Sequence, residues 1–152
     1  MTGMLPDFLS TSAALDALIA GFEDGTWPKA RWTHAAHLAL GACYILYGDA
    51  PDGASPRDRL RAGIPRYNFS QGGANTEDSG YHETLTCFWH DVIRDFIADL
   101  IRDQPAGMDR LAIVRAVVTE FEPKRDLFRQ YYDFDIVTSR EARAKWIPPR
   151  RP

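Results

Sequence analysis

The sequence has few cysteines and no long hydrophobic run. Only two of its 152 residues are cysteines, and Cys43 and Cys87 lack the CxxC spacing of redox or metal motifs, which is typical of reduced thiols in the cytoplasm. Whether the two ever pair is left open. No stretch reaches the roughly 20 apolar residues that cross a bilayer, and the first residues lack the basic and apolar regions of a secretory signal. We therefore expect a cytoplasmic protein with no membrane partner.

The chain also lacks an excess of positive charge. Its 18 basic and 21 acidic residues give a formal net charge of −3, and its densest basic spot is Arg150-Arg151. A phosphate-binding surface usually shows a basic stripe. We therefore expect no nucleic acid partner, and no nucleotide cofactor is indicated.

Hydrophobic residues recur with helical period along most of the chain, beginning with Leu15, Leu18, Ile19 and Phe22. The length suits one domain. We predict an all-α fold in which residues 1–152 form a single compact bundle of about six helices. Two polar loops rich in Gly and Pro lie near 49–55 and 70–80, and residues 1–9 and 147–152 are expected to be flexible or extended tails. An aromatic-rich bundle of this kind often dimerises, so a homodimer is one expected state.

The fourth helix, predicted over 81–103, has the widest apolar face and is expected to be the central core helix. Gly80 is its predicted N-cap, which puts Glu83 at the third helical position, where a carboxylate is favoured by the helix dipole. The third helix should begin after Ser55 and kink or end at Pro65, because proline removes an internal hydrogen bond.

Three of the four histidines lie at the starts of two predicted helices. His34 and His37 are three residues apart, so they are separated by about 4.5 Å along the axis and can reach one point. His82 begins the fourth helix and should turn inward. Three imidazoles leave an open coordination position, as in a catalytic zinc site. Taken alone, however, the His34–His37 pair has another explanation: one histidine caps backbone groups, and the other is a core residue whose hydrogen bonds are all made within the fold.

One hypothesis is a metal-dependent enzyme, a hydrolase or lyase that acts on a small polar metabolite. His34, His37 and His82 would bind zinc, iron(II) or manganese, and Glu83 would be a fourth ligand or the general base. The metal would activate a bound water. Tyr81 joins Glu83 as a candidate catalytic residue, and candidates for contacting the substrate or supporting the ligands are Tyr67, Asn68, Asn75 and Arg143.

The alternative is a metal-free small-molecule-binding or interaction protein. In that case the same residues form a hydrogen-bonded pocket, because neutral imidazoles both donate and accept and Glu83 can fix a histidine tautomer or bind a cationic ligand. A metal-free acid–base enzyme using His82 and Glu83 lies between the two hypotheses. They differ in whether the three imidazoles converge at about 2.0–2.1 Å on one centre.

Several short motifs resemble a family of small bacterial proteins of uncharacterised activity. The family pattern is aromatic-x-H-x-x-H-L, then N-T, then G-Y-H-E-T-[IL]-T. The matching segments here are 32–38 (WTHAAHL), 66–68 (RYN), 75–76 (NT), 80–86 (GYHETLT), 131–132 (YY) and 139–143 (SREAR). Pro65 departs from the helix-compatible residue expected there. The resemblance spans about residues 27–149 and implies a shared site without implying a reaction.

Overall fold

The computed structural model describes residues 5–104 and 106–150, and their regular structure is helical. The six α-helices are α1 (Ser12–Asp24), α2 (His34–Tyr47), α3 (Pro56–Ser70), α4 (Glu83–Arg102), α5 (Arg110–Phe121) and α6 (Arg140–Ala144). Short 3-10 turns cover Asp7–Leu9, Lys29–Arg31, Glu122–Lys124 and Leu127–Gln130. Within these described ranges there is no strand. The predicted all-α fold is confirmed.

The central helix is α2, where the sequence pattern pointed to α4. Helix α2 packs against α1, α3, α4 and α5, and it is buried on nearly all sides from Ala35 to Tyr44. A helix that is apolar all round belongs in a core. Helix α4 instead keeps a charged outer face, where Arg94, Asp95 and Asp99 are exposed. The prediction of α4 as the central helix was wrong, because a wide apolar stripe indicates one buried face only.

Gly41 brings α2 and α4 close together. A Cβ atom at this position would lie 3.3 Å from Ile93 Cδ1, so even an alanine would require the Ile93 side chain to move by a few tenths of an ångström. None of the helices in the described ranges is both long and apolar enough to span a membrane.

Helix α3 continues past Pro65 to Ser70, so of the two predicted outcomes, a kink or an end of the helix, the end does not occur. Its buried face runs along both sides of the proline through Leu60, Gly63, Ile64 and Tyr67. The Tyr67 hydroxyl donates a 2.5 Å hydrogen bond to the Trp27 carbonyl. Packing on one continuous face therefore outweighs the lost backbone hydrogen bond, which costs about 3 kcal/mol in a helix interior.

The N-terminal segment is part of the core, contrary to the predicted tail over 1–9. Phe8 and Leu9 are buried, and the guanidinium of Arg115 donates 2.8 Å to the Leu9 carbonyl. Residues 1–4 of that predicted tail, and 151–152 of the C-terminal one, lie outside the described residues. The two apolar positions in 7–9 were too few to show a helical period, which is why the sequence pattern missed this segment.

A second apolar cluster joins the C-terminal segment to α4. Its buried members are Phe88, Phe128, Tyr132, Ile136 and Ala142. The segment beyond α6 is bonded back onto the body of the protein, since Ile147 N–H donates to Thr84 Oγ1 over 3.0 Å and Arg150 N–H donates to the Tyr131 carbonyl over 3.0 Å. The described part of the predicted 147–152 tail is therefore held in place.

Candidate functional site

His82 is the N-cap of α4. Its Nδ1 accepts the Leu85 N–H over 3.1 Å, and its Nε2 lies 2.7 Å from the Ile136 carbonyl. An acceptor at one nitrogen and a donor at the other define a neutral ring that carries its proton on Nε2. Burial lowers the pKa of this histidine, which is consistent with the neutral form. Glu83 consequently occupies the first helical position, and the prediction of Gly80 as N-cap was wrong.

Glu83 is buried beside its partners, with 6% of its surface exposed. Its Oε1 accepts the Tyr81 hydroxyl over 2.5 Å, and its Oε2 pairs with Arg61 Nε over 2.8 Å. Burial, followed by this hydrogen bond, raises the pKa of Tyr81. Both predicted catalytic groups are therefore in contact, and each has a structural partner.

Asn75 and Arg143 hold the loop that leads into α4. Asn75 Oδ1 accepts from Tyr81 N–H over 2.9 Å and from Asn68 Nδ2 over 3.1 Å, while Asn75 Nδ2 donates to the Pro65 carbonyl over 3.0 Å. Arg143 Nη1 donates to the Gly80 carbonyl over 2.9 Å. These side chains bind backbone and each other, which explains their positions without a substrate.

Gly80 makes this loop path possible. Its φ is +82°, and a Cβ atom would lie 2.4 Å from the Ala74 carbonyl oxygen. Only glycine takes that conformation without strain. The motif 80–84 ends with Thr84, a fully buried residue whose hydroxyl donates to the Lys145 carbonyl over 2.8 Å while it accepts from Ile147. Residues 80–84 are thus the junction between loop, helix and C-terminal segment.

A cavity of about 970 Å³ lies between α2, α3, α4, the loop before α4 and the segment after α5. Its volume is within the usual range of small-molecule sites, roughly 300–1,000 Å³. Among the predicted site residues, those that line it are His34, His37, Tyr67, Asn68, Tyr81 and His82. Glu83, Asn75 and Arg143 lie outside its lining. The structure therefore brings together the histidines and separates them from the proposed base.

His34 and His37 differ from His82 in having no saturating partners. His37 packs on Trp32, with ring centroids 3.9 Å apart, and His34 meets Trp89 edge-on at 5.1 Å. Among the described residues, nothing accepts or donates a hydrogen bond at either ring nitrogen of His37, and His34 Nε2 is buried without a partner. Buried polar atoms normally find partners. These ring nitrogens at the cavity are therefore available for further hydrogen bonds.

Both of these histidines are kept neutral. Burial lowers the pKa of His37 to about 3, with smaller contributions from His34 and from the charge of Arg125. Burial also lowers the pKa of His34, and the nearby Phe121 carbonyl partly offsets it. At neutral pH each ring can donate from one nitrogen and accept at the other.

Charged residues of the cavity lining are mostly basic. Besides the histidines they are Lys29, Arg125, Arg129 and Asp126. Arg129 reaches Asp126 and Asp135 only at 3.7 and 3.6 Å, while in the part of the chain that the structure describes Lys29 and Arg125 have no ion pair. The lining therefore carries three cations and one carboxylate in a chain with net charge −3.

The described side chains do not fit the predicted three-histidine metal site. His82 uses both ring nitrogens on backbone groups, so it has no lone pair for an ion. Throughout residues 5–104 and 106–150, no three His, Cys, Asp or Glu side chains gather where they could hold one metal ion. His34 and His37 are the two imidazoles that remain available.

Sequence reasoning missed the aromatic and basic parts of this cavity. The sequence pattern places Trp32 in a motif and Trp89 on an apolar helix face, and it assigns no role to Lys29 or Arg125. Trp32 next to the His34–His37 pair was the available signal. Arg125 gave no such signal, because a single arginine in a turn about 90 residues away has no local pattern.

Cys43 and Cys87, whose pairing was left open by the sequence, are both buried and free.

Comparisons of this chain with protein-family models, with curated proteins and with solved structures find no match. The resemblance of segments 32–38 and 80–86 to a bacterial family stays a prediction. The candidate site rests on its geometry.

Proposed function

We propose that this protein binds a small organic molecule in the 970 Å³ cavity, without a metal ion. The observation that carries the proposal is the pair of neutral histidines that line this cavity, His34 and His37: His34 Nε2 is buried without a partner, and no described residue forms a hydrogen bond with either ring nitrogen of His37. Apolar residues, including Leu38, Ile64 and Ile93, also line the cavity. An apolar cavity with a few convergent polar groups is the usual form of a ligand site.

The positions of the two histidine motifs support ligand binding by His34 and His37 over catalysis by Glu83. A general base must reach the proton it removes, directly or through one water. Glu83 instead faces Arg61 and Tyr81 and does not line the cavity. His34 and His37 do line it, so they are the groups expected to touch a ligand.

A fragment screen by thermal shift tests the proposal. Since a ligand at 100 times its Kd stabilises by about 2.7 kcal/mol, and 1 kcal/mol shifts the Tm of a chain this size by about 2–4 °C, hits should raise the Tm by roughly 5–10 °C. Thr86→Phe, which adds bulk inside the cavity, should abolish those shifts. Ala98→Phe adds the same ring on the exposed face of α4 and should leave them unchanged.

Two results would contradict this function. One is the absence of any fragment whose effect is lost in Thr86→Phe and kept in Ala98→Phe. The other is metal: elemental analysis of untagged protein that finds near-stoichiometric zinc, iron or manganese, lost in His37→Ala, would favour the metal-dependent enzyme instead.

A further inference from the structure

The charge distribution of the cavity narrows the class of its ligand. Of four ionic side chains in the lining, three are basic, and Lys29 and Arg125 have no carboxylate partner among the described residues. Most other arginines of the described chain are paired, as Arg57 is with Asp91 and Arg61 with Glu83. In an acidic protein, unpaired cations at one cavity produce a local positive potential that attracts anions.

The charge of Arg125 favours an anion over a cation in this cavity. Arg125 is close enough for its charge to lower the pKa of both His34 and His37, whereas Glu122, outside the lining, raises the pKa of His34 by less. A cationic ligand beside Arg125 would therefore meet repulsion. A carboxylate would accept hydrogen bonds from the guanidinium and from a neutral imidazole N–H. Charge-assisted bonds of this kind are the stronger ones.

The rest of the cavity lining favours a ligand whose anionic group is attached to a flat apolar ring system. Trp32 and Trp89 supply aromatic surface, and the two histidine rings that pack on them extend it. Leu38, Ile64 and Ile93 complete an apolar wall. Aromatic side chains bind flat rings by stacking or edge-on contact.

We propose that the ligand is an aromatic carboxylate whose anionic group is bound by Arg125, with Lys29 adding to the positive potential. This inference rests on the proposed small-molecule function and specifies its ligand class. Arg125 is exposed and makes no described hydrogen bond, so replacing it should leave the fold intact.

Calorimetry with three probes of one shape tests the proposal: 2-naphthoate, 2-naphthamide and protonated 2-naphthylmethylamine. We expect the carboxylate to bind at least tenfold more tightly than the amide, and the amine to bind most weakly. Raising the salt concentration from 50 to 500 mM should weaken the carboxylate alone, because salt screens exposed charges.

Arg125→Gln should weaken 2-naphthoate at least fivefold and leave 2-naphthamide unchanged. Arg66→Gln is the matched control, because Arg66 is also exposed, has no ion pair in the described chain and lies outside the cavity lining. Lys29→Gln should have a smaller effect of the same sign. Equal Tm values for the three variants and wild type would show that each is folded.

The results of these experiments distinguish a failure of the aromatic-carboxylate assignment from a failure of the proposed small-molecule binding. Equal binding of all three probes, tightest binding of the amine, or an unchanged carboxylate affinity in Arg125→Gln would overturn the carboxylate assignment while cavity binding stands. The same holds if no naphthyl probe binds but other fragments lose binding in Thr86→Phe. If no fragment of any charge depends on the cavity, both proposals fail.

Discussion

The two histidine motifs of this chain look alike in sequence and differ in bonding. At the start of α4, His82 has both ring nitrogens bonded to backbone, and Glu83 and Thr84 are also fully engaged. At the start of α2, His34 and His37 pack on tryptophans and leave ring nitrogens without a hydrogen bond to any described residue. A polar group that is saturated within the fold serves the fold, whereas one left unsaturated at a cavity is available to a ligand.

The difference predicts that changes at the α4 junction affect stability and that changes at the start of α2 affect binding. The largest effect should come from Gly80→Ala, because it adds both an unfavourable φ and a Cβ 2.4 Å from the Ala74 carbonyl oxygen. We expect a loss of roughly 3 kcal/mol in the free energy of unfolding, measured by urea denaturation. Gly72→Ala is the control, because Gly72 has a φ of +84° and open space around its Cβ position; its cost should be about 1–2 kcal/mol. Equal costs would contradict a tightly packed junction.

A smaller effect is expected from His82→Ala, which removes the N-cap and the bond to Ile136. Losing a cap costs about 1 kcal/mol. Losing the bond to the Ile136 carbonyl, which still accepts the Ser139 N–H over 3.3 Å, costs about 0.5–1.5 kcal/mol, so we expect a loss of about 1.5–2.5 kcal/mol. His82→Asn keeps a good capping side chain and should recover about 1 kcal/mol of this loss. If asparagine is no better than alanine in denaturant titrations, the capping role of His82 is wrong.

The smallest effect on stability at neutral pH should come from His37→Gln, which removes no described hydrogen bond; we expect a change within about 1 kcal/mol. Its effect should appear in acid. The pKa of His37 is lowered to about 3 in the fold, below the ordinary value of about 6.5, so the unfolded chain binds the extra proton. The stabilisation is therefore complete above about pH 6.5 and declines as the pH falls toward 3.

Denaturant titrations at pH 7, 6, 5 and 4 check the predicted loss of stability as His37 becomes protonated on unfolding. A group of this kind contributes up to about 1.4 kcal/mol per pH unit in that window. Wild type should lose stability more steeply than His37→Gln on acidification, and the remaining slope belongs to His34, His82 and His90, whose pKa values burial also lowers, and, toward pH 4, to carboxyl groups with lowered pKa values such as Asp91. Parallel pH curves for the two proteins would contradict a buried neutral His37.

Much of the fold was predictable because helices are local. The apolar period, the caps at Thr33 and Ser55 and the glycine-rich loops all depend on residues a few positions apart. The course of α3 through Pro65 was not predictable, because contacts from distant residues such as Trp27 decide it. The same limit explains why α2, and not α4, proved to be central.

By itself, the sequence determined that the chain is helical, where most of its helices lie and which polar residues cluster near two helix starts. Tertiary structure decided what those residues do. It supplied the Ile136 carbonyl to His82 and the Arg61 guanidinium to Glu83, and it brought Arg125 to the cavity of His34 and His37. Hydrogen bonds and charges act through space over a few ångströms, so partners from distant parts of the chain determine whether a histidine is bonded within the fold or faces a cavity.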